Sequence, residues 1–201
     1  MYVRITQVAG ATDIDSGIAV LRDQVVPELQ HQKGYRGLSA SGDRSAGRVT
    51  VLSMWDTAED LEASESSADK VRADAMKVMG GHARVERYEQ TVWETGGTPP
   101  SPGARLHIRH ISMDPALVEE NLEYFRQTVL PQIKATPGFL GVRQLIDRAT
   151  GEGRVGTLWA DDEAMEGSVR RSEERRAEVA ERGVRLGEQE VLEVLFASMP
   201  S

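Results

Sequence analysis

Two histidines and an arginine in one short apolar segment have side chains that could move a proton or hold an anion. His107 and His110 are three residues apart, so on a strand they point to opposite faces and cannot hold one metal ion together. We take His110 as the candidate proton acceptor, because imidazole titrates near neutral pH. The alternative is a polar residue satisfied at the end of a sheet. His31 and His82 fit exposed helix ends and suggest no site.

Arg109 lies between Ile108 and His110, in a segment that is expected to be largely covered. A covered guanidinium needs a carboxylate partner or an anionic ligand, because an unpaired buried charge is costly. Arg109 is therefore the candidate anion partner of a site. The alternatives are a structural ion pair and an exposed strand edge.

Four aromatic residues stand at matched places in two halves of the chain, Tyr35 and Trp55 in the first, Phe139 and Trp159 in the second. A large ring that ends a strand beside a helix most often packs in the core, and the alternative is the wall of a ligand cavity. These four are the candidate substrate-binding residues.

Several motifs of other enzyme classes are missing from the sequence. It has no glycine-rich phosphate loop, no G-x-S-x-G elbow and no H-E-x-x-H helix. Its histidines and carboxylates are not clustered in the way that metal ligands are. Nucleotide-binding, serine-hydrolase and zinc-protease functions therefore lack support, and we predict no cofactor and no metal.

The matched places reflect an internal duplication at an offset of 104 residues. A gap-free comparison of residues 25–73 with 129–177 gives 14 identities, whereas average residue usage would give roughly three at random. The apolar stripe of the first helix, from Ile14 to Leu29, also returns at this offset. The identities include Pro27 and Pro131, Gly34 and Gly138, Gly47 and Gly151, and Trp55 and Trp159.

Each half reads as strand, helix, strand, strand, helix, strand, which is the split ferredoxin-like arrangement of an α+β protein. We expect the first helix of each half to bend at its proline. The helix after Trp159 has few large apolar residues, which favours a cavity beneath it or a thin core. Two such halves can bury a sheet face against each other. We assign residues 1–94 to a first repeat, 95–103 to a Gly/Pro linker and 104–201 to a second repeat.

This order of elements, with Pro-Gly-Phe-Leu-Gly at residues 137–141 and a third strand that ends in Trp, resembles the antibiotic biosynthesis monooxygenase-like (ABM) group of the dimeric α+β barrel superfamily. Members of that group usually pair two subunits through their sheets. The resemblance therefore implies a single-chain pseudo-dimer, present as a monomer or paired again as a homodimer. The group includes cofactor-independent oxygenases of aromatic or quinol substrates, haem-degrading enzymes and small proteins of unassigned role.

The haem-degrading branch uses a ligand histidine, a strand asparagine and a helical tryptophan, and this chain lacks all three in both halves. The positions hold Asp74 and Glu178, Thr6 and Arg109, and Ser64 and Ser168, respectively. The resemblance instead implies a cofactor-independent monooxygenase that acts on a small aromatic or quinone-like molecule. In such an enzyme His110 would accept a proton, Arg109 would pair with the anion, and the tryptophans would form walls.

Two other hypotheses stay open. The first is a non-catalytic small-molecule-binding or stress-associated protein of the same fold. The second is that one half has become structural, because Arg109 and His110 replace Thr6 and Gln7. That hypothesis predicts one pocket per chain.

Composition excludes several classes of partner. The chain has 201 residues and a net charge of −8, so it lacks the cationic surface that nucleic acids and anionic membranes need. No apolar run approaches the roughly 20 residues of a membrane span, and the first residues do not resemble a leader. The absence of cysteine excludes disulfides and fits a reducing compartment. We predict a cytoplasmic protein whose partner is a small molecule.

Overall fold

The computed structural model describes residues 1–98 and 104–198. The chain divides into two compact units, Met1–Tyr88 together with the chain from Val194, and Glu89–Glu193. The fourth strand runs to Thr95, so the predicted linker 95–103 starts in a strand. Residues 99–103 of that linker lie outside the described residues. The predicted repeat boundaries stay a prediction.

The first unit has one long helical segment and a pair of shorter helices beside its sheet. In the sheet, β3 pairs antiparallel with both β1 and β2. The elements are β1 (Tyr2–Ala9), α1 (Ile14–Val20), a π-helical turn (Leu21–Val25), α2 (Val26–Leu29), β2 (Tyr35–Asp43), β3 (Arg48–Trp55), α3 (Ala58–Ala63), α4 (Glu65–Met79) and the start of β4 (His82–Thr95).

The second unit repeats this order. Its antiparallel sheet has the strand order β4–β6–β7–β5–β8, with the end of β4 at one edge. The elements are β5 (Arg105–Ser112), a 3-10 turn (Pro115–Leu117), α5 (Val118–Tyr124), a π-helical turn (Phe125–Val129), α6 (Leu130–Lys134), β6 (Phe139–Ile146), β7 (Glu152–Trp159), α7 (Asp162–Glu174), α8 (Arg176–Glu181) and β8 (Arg185–Ser198).

Each half of the chain supplies a strand, a helical segment, two strands, a second helical segment and a strand. The predicted fold class, α+β with two tandem ferredoxin-like halves of the dimeric α+β barrel type, is confirmed.

Both long helical segments contain a π-helical turn at the same place in the repeat. The Val26 N–H donates to the Leu21 carbonyl and the Leu130 N–H to the Phe125 carbonyl, each five residues back. Pro27 and Pro131 follow directly. A proline has no N–H to donate, and its ring presses on the carbonyl four residues earlier, so a wider turn relieves the conflict. At both prolines the structure has a π-helical turn, and the predicted bend stays a prediction.

Gly151 lies in the turn between β6 and β7, which packs closely against Met113, just after the end of β5. Its φ is +74°, and a Cβ there would collide with the carbonyl oxygen of Met113. Gly97 has a similar φ of +79°, but no atom of the described residues lies within 4 Å of its Cβ position.

We therefore expect Gly97→Ala to cost about 1 kcal/mol, the ordinary penalty for a side chain at positive φ. Gly151→Ala should cost clearly more, because it adds a backbone collision to the same conformational penalty. Urea unfolding of both variants measures the difference in the free energy of unfolding. Equal losses in the two variants would show that the turn is free to move away from Met113.

Candidate functional site

The second unit contains a cavity of about 110 Å³ between its sheet and its helical segments. Much of the wall is apolar, with Phe125 and Ile133 from the long helical segment and Val155 from β7. Among the described residues no aspartate or glutamate lines it. The polar side chains in the wall include His107, Arg109, Gln144, Thr157 and Arg175.

Two features of the helices shape this space. Small side chains, Ser168 and Ser172, face the cavity from α7, as the low apolar bulk of that helix indicated. The π-helical turn supplies Phe125 and Val129 to the opposite wall, and such turns are frequent at functional sites. Of the two expectations, a cavity or a thin core, the structure has the cavity.

His107 is the histidine in the cavity wall, and a hydrogen-bond network orients its ring. The side-chain nitrogen of Gln189 donates to Glu173 at 3.4 Å, so its amide oxygen is the atom that meets His107 Nε2 at 2.9 Å. Nε2 therefore carries the proton, and a neutral ring keeps a lone pair on Nδ1. The network assigns this tautomer.

Burial lowers the pKa of His107 below its usual value of 6.5, since the ring is only 6% exposed. The hydrogen bond with Gln189 opposes this shift in part, and the positive charge of Arg109 adds to it. A neutral imidazole at pH 7 is the form that accepts a proton.

Arg109 lies two residues further along β5, on the same face of the sheet as His107. Its Nη2 contacts Glu173 Oε1 at 2.5 Å and its Nη1 donates to the Gly187 carbonyl at 3.2 Å. Hydrogen bonds from Arg176 first, and then from Arg109, lower the pKa of Glu173 to about 2. Arg109 thus forms a structural ion pair and also lines the cavity.

His110 lies on the other face of β5. Its Nε2 is 2.8 Å from Glu190 Oε1, and it is not part of the cavity wall. The structure therefore separates the two candidate catalytic residues, Arg109 inside the cavity and His110 outside. Strand alternation could have found His107, because it shares its parity with Arg109.

The four candidate substrate-binding aromatics form two matched edge-to-face pairs in the cores of the two units. Tyr35 and Trp55 have ring centroids 5.5 Å apart at 69°, and Phe139 and Trp159 have centroids 6.0 Å apart at 70°. Both tryptophans are fully buried. Burial also raises the pKa of Tyr35 to about 12.

The tryptophans support the cavity walls without being part of them. Trp159 Nε1 donates to Thr157 Oγ1 at 2.9 Å, and Trp55 Nε1 donates to Ser53 Oγ at 3.1 Å. Thr157 and Ser53 each line the cavity of their own unit. The rings therefore hold two hydroxyl groups at matched positions on β7 and β3.

The first unit has a second cavity, of about 70 Å³, in the matched place. The hypothesis of one pocket per chain is therefore wrong. Arg4 and Thr6 line it where the second unit has His107 and Arg109. Both units therefore have a cavity, and the asymmetry that the sequence indicated lies in the polar side chains of the two walls.

Neither a metal cluster nor a spanning helix is found in the described part of the chain. Across residues 1–98 and 104–198, no three histidine, aspartate or glutamate side chains are placed to hold an ion. No helix in those ranges has the length and apolar character that crossing a membrane requires.

Two proteins of Mycobacterium tuberculosis are relatives of this chain. Uncharacterized protein Rv2557 is 32% identical over 167 residues, which cover 83% of this chain and 74% of the relative. Uncharacterized protein Rv2558 is 31% identical over 195 residues, which cover 96% of this chain and 81% of the relative. This chain belongs to their family. No family model matches the sequence.

Comparison with solved structures shows that this chain has the monooxygenase-like fold. A Fusobacterium nucleatum protein provisionally named a monooxygenase superposes with a TM-score of 0.73 at 12% identity, covering 98% of this chain and 94% of that one. An anthrone oxidase-like protein superposes with a TM-score of 0.66 at 14% identity, covering 98% and 93%. The resemblance to the ABM type of dimeric α+β barrel is confirmed at the level of the fold.

The buried, neutral state of His107 predicts a pH dependence of stability. Its pKa in the folded chain lies below the unfolded value of 6.5, so the unfolded chain binds the proton more readily. The contribution of this residue to stability is complete above pH 6.5 and is lost as the pH falls through the folded-state pKa.

We expect His107→Gln to reduce the loss of stability between a pH above 6.5 and a pH below it, as measured by urea unfolding midpoints. His82→Gln, which alters an exposed residue at the start of β4, is the matched control and should keep the wild-type dependence. An unchanged dependence in His107→Gln would contradict the assignment.

Proposed function

We propose that this chain is a cofactor-independent monooxygenase whose substrate binds in the cavity of the second unit. The observation that carries the proposal is a buried, neutral histidine, His107, held in one tautomer in the wall of a largely apolar cavity. The monooxygenase-like fold and the anthrone oxidase-like structural neighbour support it. The proton acceptor proposed here is His107 in place of His110.

The reaction needs molecular oxygen and an acidic ring CH₂ group, which a cyclic ketone has and which a phenol or hydroquinone has in its keto tautomer. His107 Nδ1 takes the proton, and the positive charge of Arg109 stabilises the ring anion. The anion passes one electron to O₂, and the two radicals combine to form a C–O bond. The peroxide then takes up a proton and loses water, which leaves a carbonyl. A ring CH₂ group and O₂ thus give C=O and H₂O, with every electron supplied by the substrate.

The size of the cavity limits the substrate to a small molecule. Its volume is about 110 Å³, and an apolar protein cavity of about 150 Å³ is known to hold benzene. The cavity is smaller than that one, so a single-ring molecule of the phenol or quinol type is the largest substrate that we propose. The apolar wall also keeps water away from the anion.

Assembly and location belong to the same proposal. We propose that the chain acts in the cytoplasm as a single-chain pseudo-dimer, either alone or as a homodimer. Its partner is a small molecule, with no nucleic acid or membrane involved. No cofactor takes part in the proposed reaction, because the substrate anion itself reduces oxygen.

A non-catalytic small-molecule binder is the second candidate. The observation in its favour is the close contact of Arg109 with Glu173, since a paired guanidinium stabilises a new anion less strongly. A binder needs only the shape and apolar character of the cavity.

Oxygen uptake with a panel of single-ring hydroquinones and cyclic ketones with an acidic CH₂ tests the proposal. We expect turnover in the wild type and a decrease in kcat of about 100-fold or more in His107→Gln, the usual loss of a general base. His110→Gln should retain turnover, because His110 lies on the other face of β5.

Binding of the same panel, measured by calorimetry, separates the candidates. Binding without oxygen uptake in the wild type would favour the binder. Turnover lost in His110→Gln and kept in His107→Gln would return the role of proton acceptor to His110.

A further inference from the structure

The cavity of the first unit has a buried guanidinium in its wall and no group that could accept a proton from a ligand carbon. Arg4 is 3% exposed and Arg72 is the second cation in the wall. Thr6 and Ser53 are the other polar residues, and in the described part of the chain no histidine, aspartate or glutamate lines this space. Its remaining wall is apolar.

Arg4 uses only part of its hydrogen-bonding capacity within the protein. Its three hydrogen bonds all leave from Nη2, to the Leu61 carbonyl and the Ser64 hydroxyl at 2.8 Å each and to Glu65 Oε2 at 2.9 Å. Nε is buried and has no partner among residues 1–98 and 104–198, and Nη1 takes no part in the three bonds. Nε is too buried for a ligand atom to reach, so Nη1 is the donor of Arg4 that a ligand in the cavity would bind.

The charges around Arg4 leave a surplus of positive charge. Glu65 is shared by Arg4, Arg72 and Arg87, with N–O distances of 2.9, 3.5 and 2.9 Å. Arg72 also contacts Asp69 at 2.5 Å. Three guanidinium groups therefore face two carboxylates, and neither carboxylate belongs to the cavity wall. A mainly apolar space beside this cluster favours an anion with an apolar body.

We propose that the cavity of the first unit is a ligand site for a small carboxylate with a short alkyl group. The carboxylate accepts a hydrogen bond from Arg4 Nη1, and the alkyl group lies against side chains such as Val25, Leu38 and Val51. A volume of about 70 Å³ is roughly half that of a cavity that holds benzene, so acids of at most four carbons suit it and aromatic acids do not.

This site goes beyond the proposed monooxygenase activity and does not depend on it. The wall has no neutral base in the place that His107 occupies in the second unit, so the site binds and does not catalyse proton transfer. After the duplication, one cavity would serve the reaction and the other would hold a small acid.

Two probes, isobutyrate and isobutyramide, test the charge requirement on the unmodified chain. Backbone amide spectra recorded by ¹H–¹⁵N NMR should shift saturably with isobutyrate at Thr6 and Ser53. Isobutyramide has the same shape without the charge, and we expect it to bind about tenfold or more weakly. Equal binding of the two probes, no saturable shift with isobutyrate, or shifts at His107 and Thr157 instead would each overturn the proposal.

A matched pair of variants assigns the cavity. Ala68 on α4 and Ser172 on α7 occupy equivalent places, 104 residues apart, in the walls of the two cavities. Ala68→Leu fills the first cavity and should abolish the isobutyrate shifts, whereas Ser172→Leu fills the second and should keep them. The opposite pattern would overturn the proposal.

Oxygen uptake by the same two variants separates this inference from the proposed function. Ser172→Leu should lose turnover and Ala68→Leu should keep it, so one proposal can fail while the other stands. Arg4→Met, checked by circular dichroism for folding, provides a second test of the guanidinium. If neither Ala68→Leu nor Arg4→Met folds, the comparison of acid and amide on the wild type still decides.

Discussion

The contact between Arg109 and Glu173 organises the second unit. It joins the middle of β5 to the end of α7, across 64 positions of sequence. Glu173 also accepts hydrogen bonds from Arg176 and Gln189, and Gln189 in turn meets His107. One carboxylate therefore holds the helix over the sheet and, through Gln189, orients the imidazole. A buried guanidinium needs such a partner, and the ring orientation follows from how that need is met.

The two units show which parts of a duplicated chain stayed equal and which diverged. The π-helical turns, the edge-to-face aromatic pairs and the hydroxyl groups bound by the tryptophans are matched. These features set the shape of the space between helix and sheet. The polar groups differ, because the first unit has Arg4 and Thr6 where the second has His107 and Arg109. The structural features around the two cavities are thus matched, whereas the polar side chains in their walls are different.

Charge in the cavities is opposite to the charge of the whole chain. The net charge is −8, yet within the ranges that the structure describes arginines line both cavities and carboxylates line neither. Surface charges act weakly over distance, since salt screens them beyond about 10 Å, whereas groups in a buried wall act at short range in a medium of lower dielectric. A small acid or a ring anion would therefore meet a positive site in an acidic protein.

The duplication, the order of the elements and the places of the core aromatics could be predicted from the sequence, because periodic apolar residues and recurring prolines, glycines and tryptophans are local signals. Strand alternation also separated His107 from His110. The folded chain was needed to show which face of β5 lines the cavity, that Glu173 is the partner of Arg109, and that the tryptophans lie behind the cavity walls. The register shift between β5 and β8 at Arg109 and Ile111 was likewise not predicted from the sequence. These features depend on residues far apart in the chain, whose distances no local pattern encodes.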